Sequence, residues 1–414
     1  MKTPHFFAIS ALLLLSQSSF ATVYNLPANS GDSIVAEYPN EIAVTRPQQS
    51  ETLLDVARRF SLGQTEIVRL NQSLDRWLIK PNDVITLPNK RILPDSPRNG
   101  ITLNIAEYRM YYYPQNASKV YSFAHGVGRQ DWKTPLGRTS IQKKVKDPVW
   151  RPPESIRREH AAQGDPLPEV VPAGIHNPLG AYALYLNLPG DYRIHGTDID
   201  KIYGIGMQIT HGCVRMYPED IEQLYHMVDV GTPVYIVKQP IKVGWLNNVL
   251  YIESHPDLEG EETTLDQRMA SAMALIQKTP NVSLTELNQA ALSDALDKQT
   301  GNPTAIYERM LTDEEKQAQA SEAPPPKVAP PPEVIHAVKK ASEPPMLAKK
   351  MTVSKKATPS KNTSVTQAKV GKTKTSSVKA TVTPVKKTVD VSASKPKPYI
   401  PTHKPSPTGY YRGF

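Results

Sequence analysis

The earliest apolar run, Phe6 to Leu15, follows Lys2 and His5 and precedes a small-x-small triplet, Ser19-Phe20-Ala21. A run of about ten residues is too short to span a bilayer. With a basic start and that ending, it predicts a secretory signal over residues 1–21 and a mature chain starting near Thr22. The competing reading is an N-terminal membrane anchor; no later segment is apolar enough for a transmembrane helix. Residues 41–90 predict a compact module ordered strand, helix, helix, strand. Ile42 and Val44 alternate with polar positions, and Leu53, Val56, Ala57 and Phe60 recur at helical spacing. A second short helix covers Thr65 to Leu70, and Val84, Ile85 and Leu87 form a strand closed by Pro88.

Residues 98–238 have a different texture. Strand-like runs cover Ile101–Ile105, Arg109–Tyr113, Val120–Phe123, Tyr182–Leu186, Tyr192–His195 and Pro233–Val237, punctuated by Gly and Pro. Clear helical periodicity is confined to Pro218–Val228, where Ile221, Leu224, Tyr225 and Val228 share a face. The pattern predicts a mostly β domain with one good helix. Residues 239–320 predict a small α/β appendage. It has a hairpin around Asn247-Asn248 and two helices with capping-box starts, Thr264 with Gln267 and Ser283 with Glu286.

Charge changes the picture at the far end. The 414 residues carry a formal net charge of +9, but Ser321–Phe414 alone holds 18 Lys and Arg against 4 Asp and Glu. The preceding 320 residues are therefore net acidic. The basic stretch is a Pro/Lys/Ser/Thr/Val tract with too little apolar surface to offset its ordering entropy, so residues 321–414 are expected to be a disordered tail. A basic composition of that origin does not predict a nucleic-acid partner. It predicts weak attraction to anionic envelope polymers.

The chain has one cysteine, which excludes an intrachain disulfide, a Cys-only metal site and an iron–sulfur cluster. In an exported protein an unpaired thiol calls for a reason. Cys213 lies in Thr210-His211-Gly212-Cys213-Val214-Arg215, downstream of His195-Gly196-Thr197, with fifteen residues between His195 and His211. A thiol nucleophile needs a base or backbone donors. His195 supplies the base if two strands bring it beside Cys213. Gly212 permits a tight turn whose amides face a developing oxyanion. His211 and Arg215 add donors at the same mouth. A buried inert cysteine is the bland alternative, and a zinc site lacks a fourth ligand at suitable spacing.

Two resemblances follow from these motifs. Ser50-Glu51-Thr52-Leu53, Ala57-Arg58-Arg59-Phe60, Leu70-Asn71 and Lys80–Pro88 resemble the LysM module, which implies peptidoglycan binding by residues 41–90; Ser50 stands where a Gly is usual. The His-Gly-Thr and Thr-His-Gly-Cys-Val-Arg signature resembles the L,D-transpeptidase (YkuD) catalytic domain over residues 98–238. Thr134-Pro135-Leu136-Gly137, Lys146–Pro153, Pro172-Ala173-Gly174 and Asn177-Pro178-Leu179-Gly180 extend the match. It is closest to the Gram-negative periplasmic branch with a LysM-like module in front. The resemblance implies a YkuD-type β-sandwich, a small α+β LysM-like domain and a periplasmic enzyme without metal or cofactor.

It also implies residue roles. Cys213 is the nucleophile and His195 its base, with the Gly196 carbonyl orienting the ring. Gly212 and Cys213 amides, helped by His211, form the oxyanion hole, and Arg215, Thr197 and Thr210 bind substrate. The donor is a peptidoglycan tetrapeptide stem, cut between the diamino acid and D-Ala. The acyl group passes to a second stem, giving a 3→3 cross-link, or to an outer-membrane lipoprotein. Two alternatives stay open: a hydrolase on the same scaffold, and a non-catalytic tether to the wall. His125 is expected to be a strand-end residue and not a second base, His160 and His176 lie in the Pro-rich stretch that could reach the cleft from above, and Trp150 is expected to pack beneath that cover.

Overall fold

The computed structural model describes residues 21–29, 31–36, 43–47 and 49–313. The signal expected over residues 1–21, save Ala21, and the tail expected over 321–414 lie outside the described residues. No helix among them is long and apolar enough to cross a membrane.

Nine strands form the main sheet, in the order 22–25, 119–124, 109–113, 100–104, 233–237, 137–146, 182–186, 193–195 and 214–215. All neighbours are antiparallel except 233–237 with 100–104 and 193–195 with 214–215. The strand Gly137–Lys146 changes partner along its length. Gly137–Ser140 pairs with the 233–237 strand, and Ile141–Lys146 pairs with Tyr182–Leu186 after a bulge between Ile141 and Lys143. A bulge at such a switch turns the sheet direction, so the strands curl around one core instead of lying flat. Ile101, Leu103, Phe123, Leu184, Ile194 and Val234 fill that core.

Six α-helices lie among the described residues: α1 Leu53–Arg59, α2 Gln64–Leu70, α3 Glu154–Ala162, α4 Pro218–Met227, α5 Leu265–Lys278 and α6 Gln289–Lys298. Pro218 opens α4 at its first turn, where its missing N–H costs nothing, and Ile221 and Leu224 bury into the main core. Helix α3 was not expected. It follows Pro152-Pro153 and buries only Ile156, so the domain has two helices where periodicity indicated one. In α1, the Thr52 hydroxyl accepts from the Asp55 amide at 3.1 Å, and Asp55 accepts from the Thr52 amide at 2.9 Å. Leu53, Val56 and Ala57 pack with Ile67, Ile79 and Ile85 into a separate small core. Strands Val44–Thr45 and Ile85–Thr86 pair antiparallel beside them.

The C-terminal unit pairs Ile241–Leu246 with Val249–Ser254, turning at Asn247 with φ +57°, and adds a third strand, Thr304–Glu308. Every pairing is antiparallel, so this unit is α+β and not α/β as expected; a two-residue hairpin cannot join parallel strands. Helix α5 starts with the expected Thr264–Gln267 capping box. The second helix does not start at Ser283. That hydroxyl meets Thr285 Oγ1 at 3.1 Å, and only a single 3-10 turn, Leu284–Glu286, follows. Asn288 caps α6 instead, accepting from the Ala291 amide at 3.0 Å.

Candidate active site

The parallel pairing of 193–195 with 214–215 matches Ile194 to Val214 and His195 to Arg215. Alternation along both strands sends Ile194 and Val214 into the core. Arg193, His195, Cys213 and Arg215 therefore share the opposite face. The register sets Cys213 beside Arg193, whose backbone amide points at the sulfur.

His195 is buried, and its Nδ1 lies 2.6 Å from the Gly196 carbonyl oxygen. A carbonyl only accepts, so Nδ1 carries the proton and Nε2 presents a lone pair. Burial pushes the His195 pKa down to about 3, with Arg215 and Arg193 adding to the effect. Burial likewise raises the Cys213 thiol, against the opposing pull of Arg193. Both groups are neutral near pH 7.

The nucleophile loop is held from three directions. Thr210 Oγ1 donates to the Cys213 carbonyl at 2.6 Å. Thr134 Oγ1 donates to the Gly212 carbonyl at 3.0 Å and accepts from the Gly128 amide at 3.0 Å. Gly212 takes φ +94°, and a Cβ there would meet Tyr192 Cε1 at 2.8 Å, so any side chain at this turn is strained. Behind the Thr134 loop lies a cavity of about 200 Å³, floored by Ile105, Val127 and Leu258. Lys133 and Lys238 both pair with Glu261 at its rim, at 2.7 and 2.6 Å.

His211 makes one side-chain hydrogen bond, from Nε2 to Glu159 Oε2 at 3.1 Å. Arg129 donates to the other Glu159 oxygen at 2.5 Å. The His211 ring sits edge-on to Trp132 at 5.3 Å and near the His160 ring at 6.3 Å. Of the expected lesser histidines, His160 thus reaches this cluster, His176 is exposed, and His125 is fully buried at a strand end with neither ring nitrogen paired. Trp150 is half-buried and bridges its backbone to Val171 at 2.9 and 2.8 Å.

Arg215 is held by burial, which lowers its pKa, with Asp198 and Tyr203 as the opposing partners. Its Nε, Thr197 Oγ1 and Asp198 Oδ1 are buried without a hydrogen-bond partner. Unsatisfied polar atoms clustered beside a nucleophile are suited to a polar ligand. No motif in the chain marks Arg193, Arg129, Glu159 or Tyr192 as site residues. Arg193 ion-pairs with Asp191 and lies over the Tyr185 ring at 4.7 Å, so its side chain turns toward the strand neighbours. Its nearness to Cys213 follows from strand register, which no local pattern announces.

The one group of potential metal ligands among the described residues is Glu107, Glu253 and His255. Lys242 Nζ already lies 2.7 Å from Glu107 and 2.8 Å from Glu253. Burial raises the Glu253 carboxyl, but Lys242 and His255 outweigh it and hold it below the usual carboxylate range. An ammonium fills the cation position, and the cluster staples the C-terminal hairpin to the main sheet.

This constellation lies on a curled, mostly β sheet. The L,D-transpeptidase catalytic-domain family model, YkuD, matches residues 98–236. The chain is 32% identical to “Probable L,D-transpeptidase YbiS” of Escherichia coli K12 over 73% of this chain and 97% of that one. It is 38% identical to “Probable L,D-transpeptidase ErfK/SrfK” of the same organism over 56% of this chain and 73% of that one. The catalytic domain of the E. faecium L,D-transpeptidase, solved by NMR, is 21% identical with TM-score 0.27, over 34% of this chain and 99% of that one. The chain belongs to the L,D-transpeptidase family, acyltransferases that act on peptidoglycan peptide stems.

Proposed function

We propose that this protein is a periplasmic L,D-transpeptidase in which Cys213 attacks a tetrapeptide stem at the bond between the diamino acid and D-Ala. The observation that carries the reading is the shared sheet face of His195 and Cys213, with the His195 tautomer fixed by Gly196. The two groups start neutral, so the thiol proton passes to His195 Nε2 as sulfur attacks, and imidazolium then protonates the departing D-Ala amine. The amides of Gly212 and Cys213 receive the oxyanion, because the loop that presents them is fixed by Thr134 and Thr210. The His211 side chain does not join them. Its Nε2–H is spent on Glu159, and burial with Arg129 nearby keeps the ring neutral. Arg215 and Thr197, with unpaired buried donors, hold the stem carboxylate or amide groups, and Thr210 acts through the loop.

The thioester is then resolved by an amine, either a second stem, giving a 3→3 cross-link, or the terminal lysine of an outer-membrane lipoprotein. The module at 41–90 retains the sheet as a LysM-like peptidoglycan contact, and the basic tail adds attraction to anionic envelope polymers. The signal-like start supports export.

The test is incubation of the purified protein with tetrapeptide-rich sacculi, followed by muropeptide analysis. Free D-Ala with new 3→3 dimers or lipoprotein-linked stems is expected from the wild type and not from Cys213→Ala. Loss of pre-existing 3→3 dimers would make the protein the hydrolase instead. Unchanged products from Cys213→Ala would remove the cysteine mechanism.

A further inference from the structure

We infer that His211 is the proton acceptor for the incoming amine in the transfer half of the reaction, and that Glu159 is its positioning residue. This rests on the cysteine-transfer reading above. The argument begins with the ring. Glu159 is a carboxylate and accepts only, so His211 Nε2, 3.1 Å away, must carry a hydrogen. Nδ1 makes no hydrogen bond among the described residues, and it belongs to a residue two positions before Cys213. A chain of two residues spans roughly 7 Å at most, which keeps His211 at the mouth of the site. The groups facing the ring are Glu159 and His160 from α3, and Arg129 and Trp132 from the loop opposite. His160 in turn pairs with Asp165 at 3.3 Å. Burial and Arg129 disfavour the imidazolium, while Glu159 favours it. Such a ring is neutral near pH 7 and has one free lone pair.

Proton stoichiometry gives that lone pair a task. An alkyl ammonium with a lysine-like pKa near 10.4 is unprotonated in fewer than about one molecule in a thousand at pH 7. Two N–H bonds of that ammonium must break before an amide exists. His211 Nδ1 draws off the first proton as the amine nitrogen bonds to the thioester carbonyl and the C–S bond breaks, leaving an imidazolium stabilised by Glu159. The second proton passes to His195 Nε2 and on to the sulfur, restoring the neutral thiol. His211, with its side chain 22% exposed, releases the first proton to solvent. His195 takes one proton only, so a second acceptor completes the balance.

Glu159→Gln and His211→Gln test this, with the acyl-enzyme formed first and followed by intact mass. Each is then offered a lysine-type amine and, separately, hydroxylamine, which is uncharged at pH 7. The expected result is acylation of Cys213 within about twofold of wild type, and transfer to the lysine-type amine reduced roughly a hundredfold in His211→Gln and tenfold or more in Glu159→Gln. Transfer to hydroxylamine should stay within about twofold, and raising the pH should rescue the lysine-type amine, because the free base then supplies itself. Equal losses with both amines, or no loss with either, would overturn the assignment; so would a loss confined to acylation. Absence of any Cys213 acyl-enzyme in the wild type would overturn the underlying transfer reading, which is a different observation.

Discussion

Cys213 and His195 owe their protonation states to burial more than to each other. A preformed thiolate–imidazolium pair would need the thiol lowered and the imidazole raised, and the structure does the reverse to both. The free protein should therefore alkylate slowly at pH 7. With iodoacetamide and intact-mass readout, the rate should climb with a midpoint above the ordinary thiol value of about 8.5. A plateau already reached at pH 6 would show an ion pair and remove the general-base step. Much of this candidate site is legible in the chain, because His195, Gly196, Gly212, Cys213 and Arg215 sit in two short motifs. Glu159 was not legible. Its partners Arg129 and His211 are 30 and 52 residues away, and a glutamate on a polar helix has no local signature of pairing.

Helix α3 and its flanks show how an element escapes the hydrophobic pattern. The helix is polar nearly all round, with one buried residue, so no apolar stripe marks it. Its only signals are Pro152-Pro153 ahead of it and Glu154 in its first turn. The strand Gly137–Lys146 was missed for a related reason: Arg138, Lys143, Lys144 and Lys146 interrupt its alternation, and partners on both sides supply what propensity does not. The segment bearing α3 is closed at its base by Asn177. Its Nδ2 donates to Pro148 O at 2.8 Å and Pro172 O at 3.0 Å, and its Oδ1 accepts from Leu179 N at 2.9 Å. Asn177 is buried, so Asn177→Ala leaves three backbone groups unpaired and should cost about 2–4 kcal/mol locally. Limited proteolysis should then cut between residues 148 and 177 well before the rest of the protein. Equal protection of that segment in both proteins would show that Asn177 does not hold it.

Across the described residues, buried and half-buried polar groups tie α1 and α2 to the main sheet, to α4 and to the segment around Arg91. Glu66 meets Arg91 and Arg109, Arg58 pairs twice with Glu219, and Tyr217 donates to the Leu62 carbonyl at 3.0 Å. Among these, Asp220 is under strain of charge. Ser61 donates to it at 2.6 Å, but its Oδ1 has no partner, and burial pushes its pKa up to about 7. An aspartate raised from 3.8 binds more protons folded than unfolded across that window, so its contribution falls as pH rises from about 4 to 7 and is constant above. His125 and His195, pushed down to about 3, act with the opposite sign below pH 6.5, since the unfolded chain takes protons they refuse. Comparing the wild type with Asp220→Asn cancels those histidines. Asn keeps an acceptor for Ser61 and never ionises. The variant should gain on the wild type by about 2–3 kcal/mol between pH 5 and pH 8, read as a widening difference in melting temperature. A constant difference across that range would mean that Asp220 is ionised throughout, with Arg109 and Arg58 outweighing its burial.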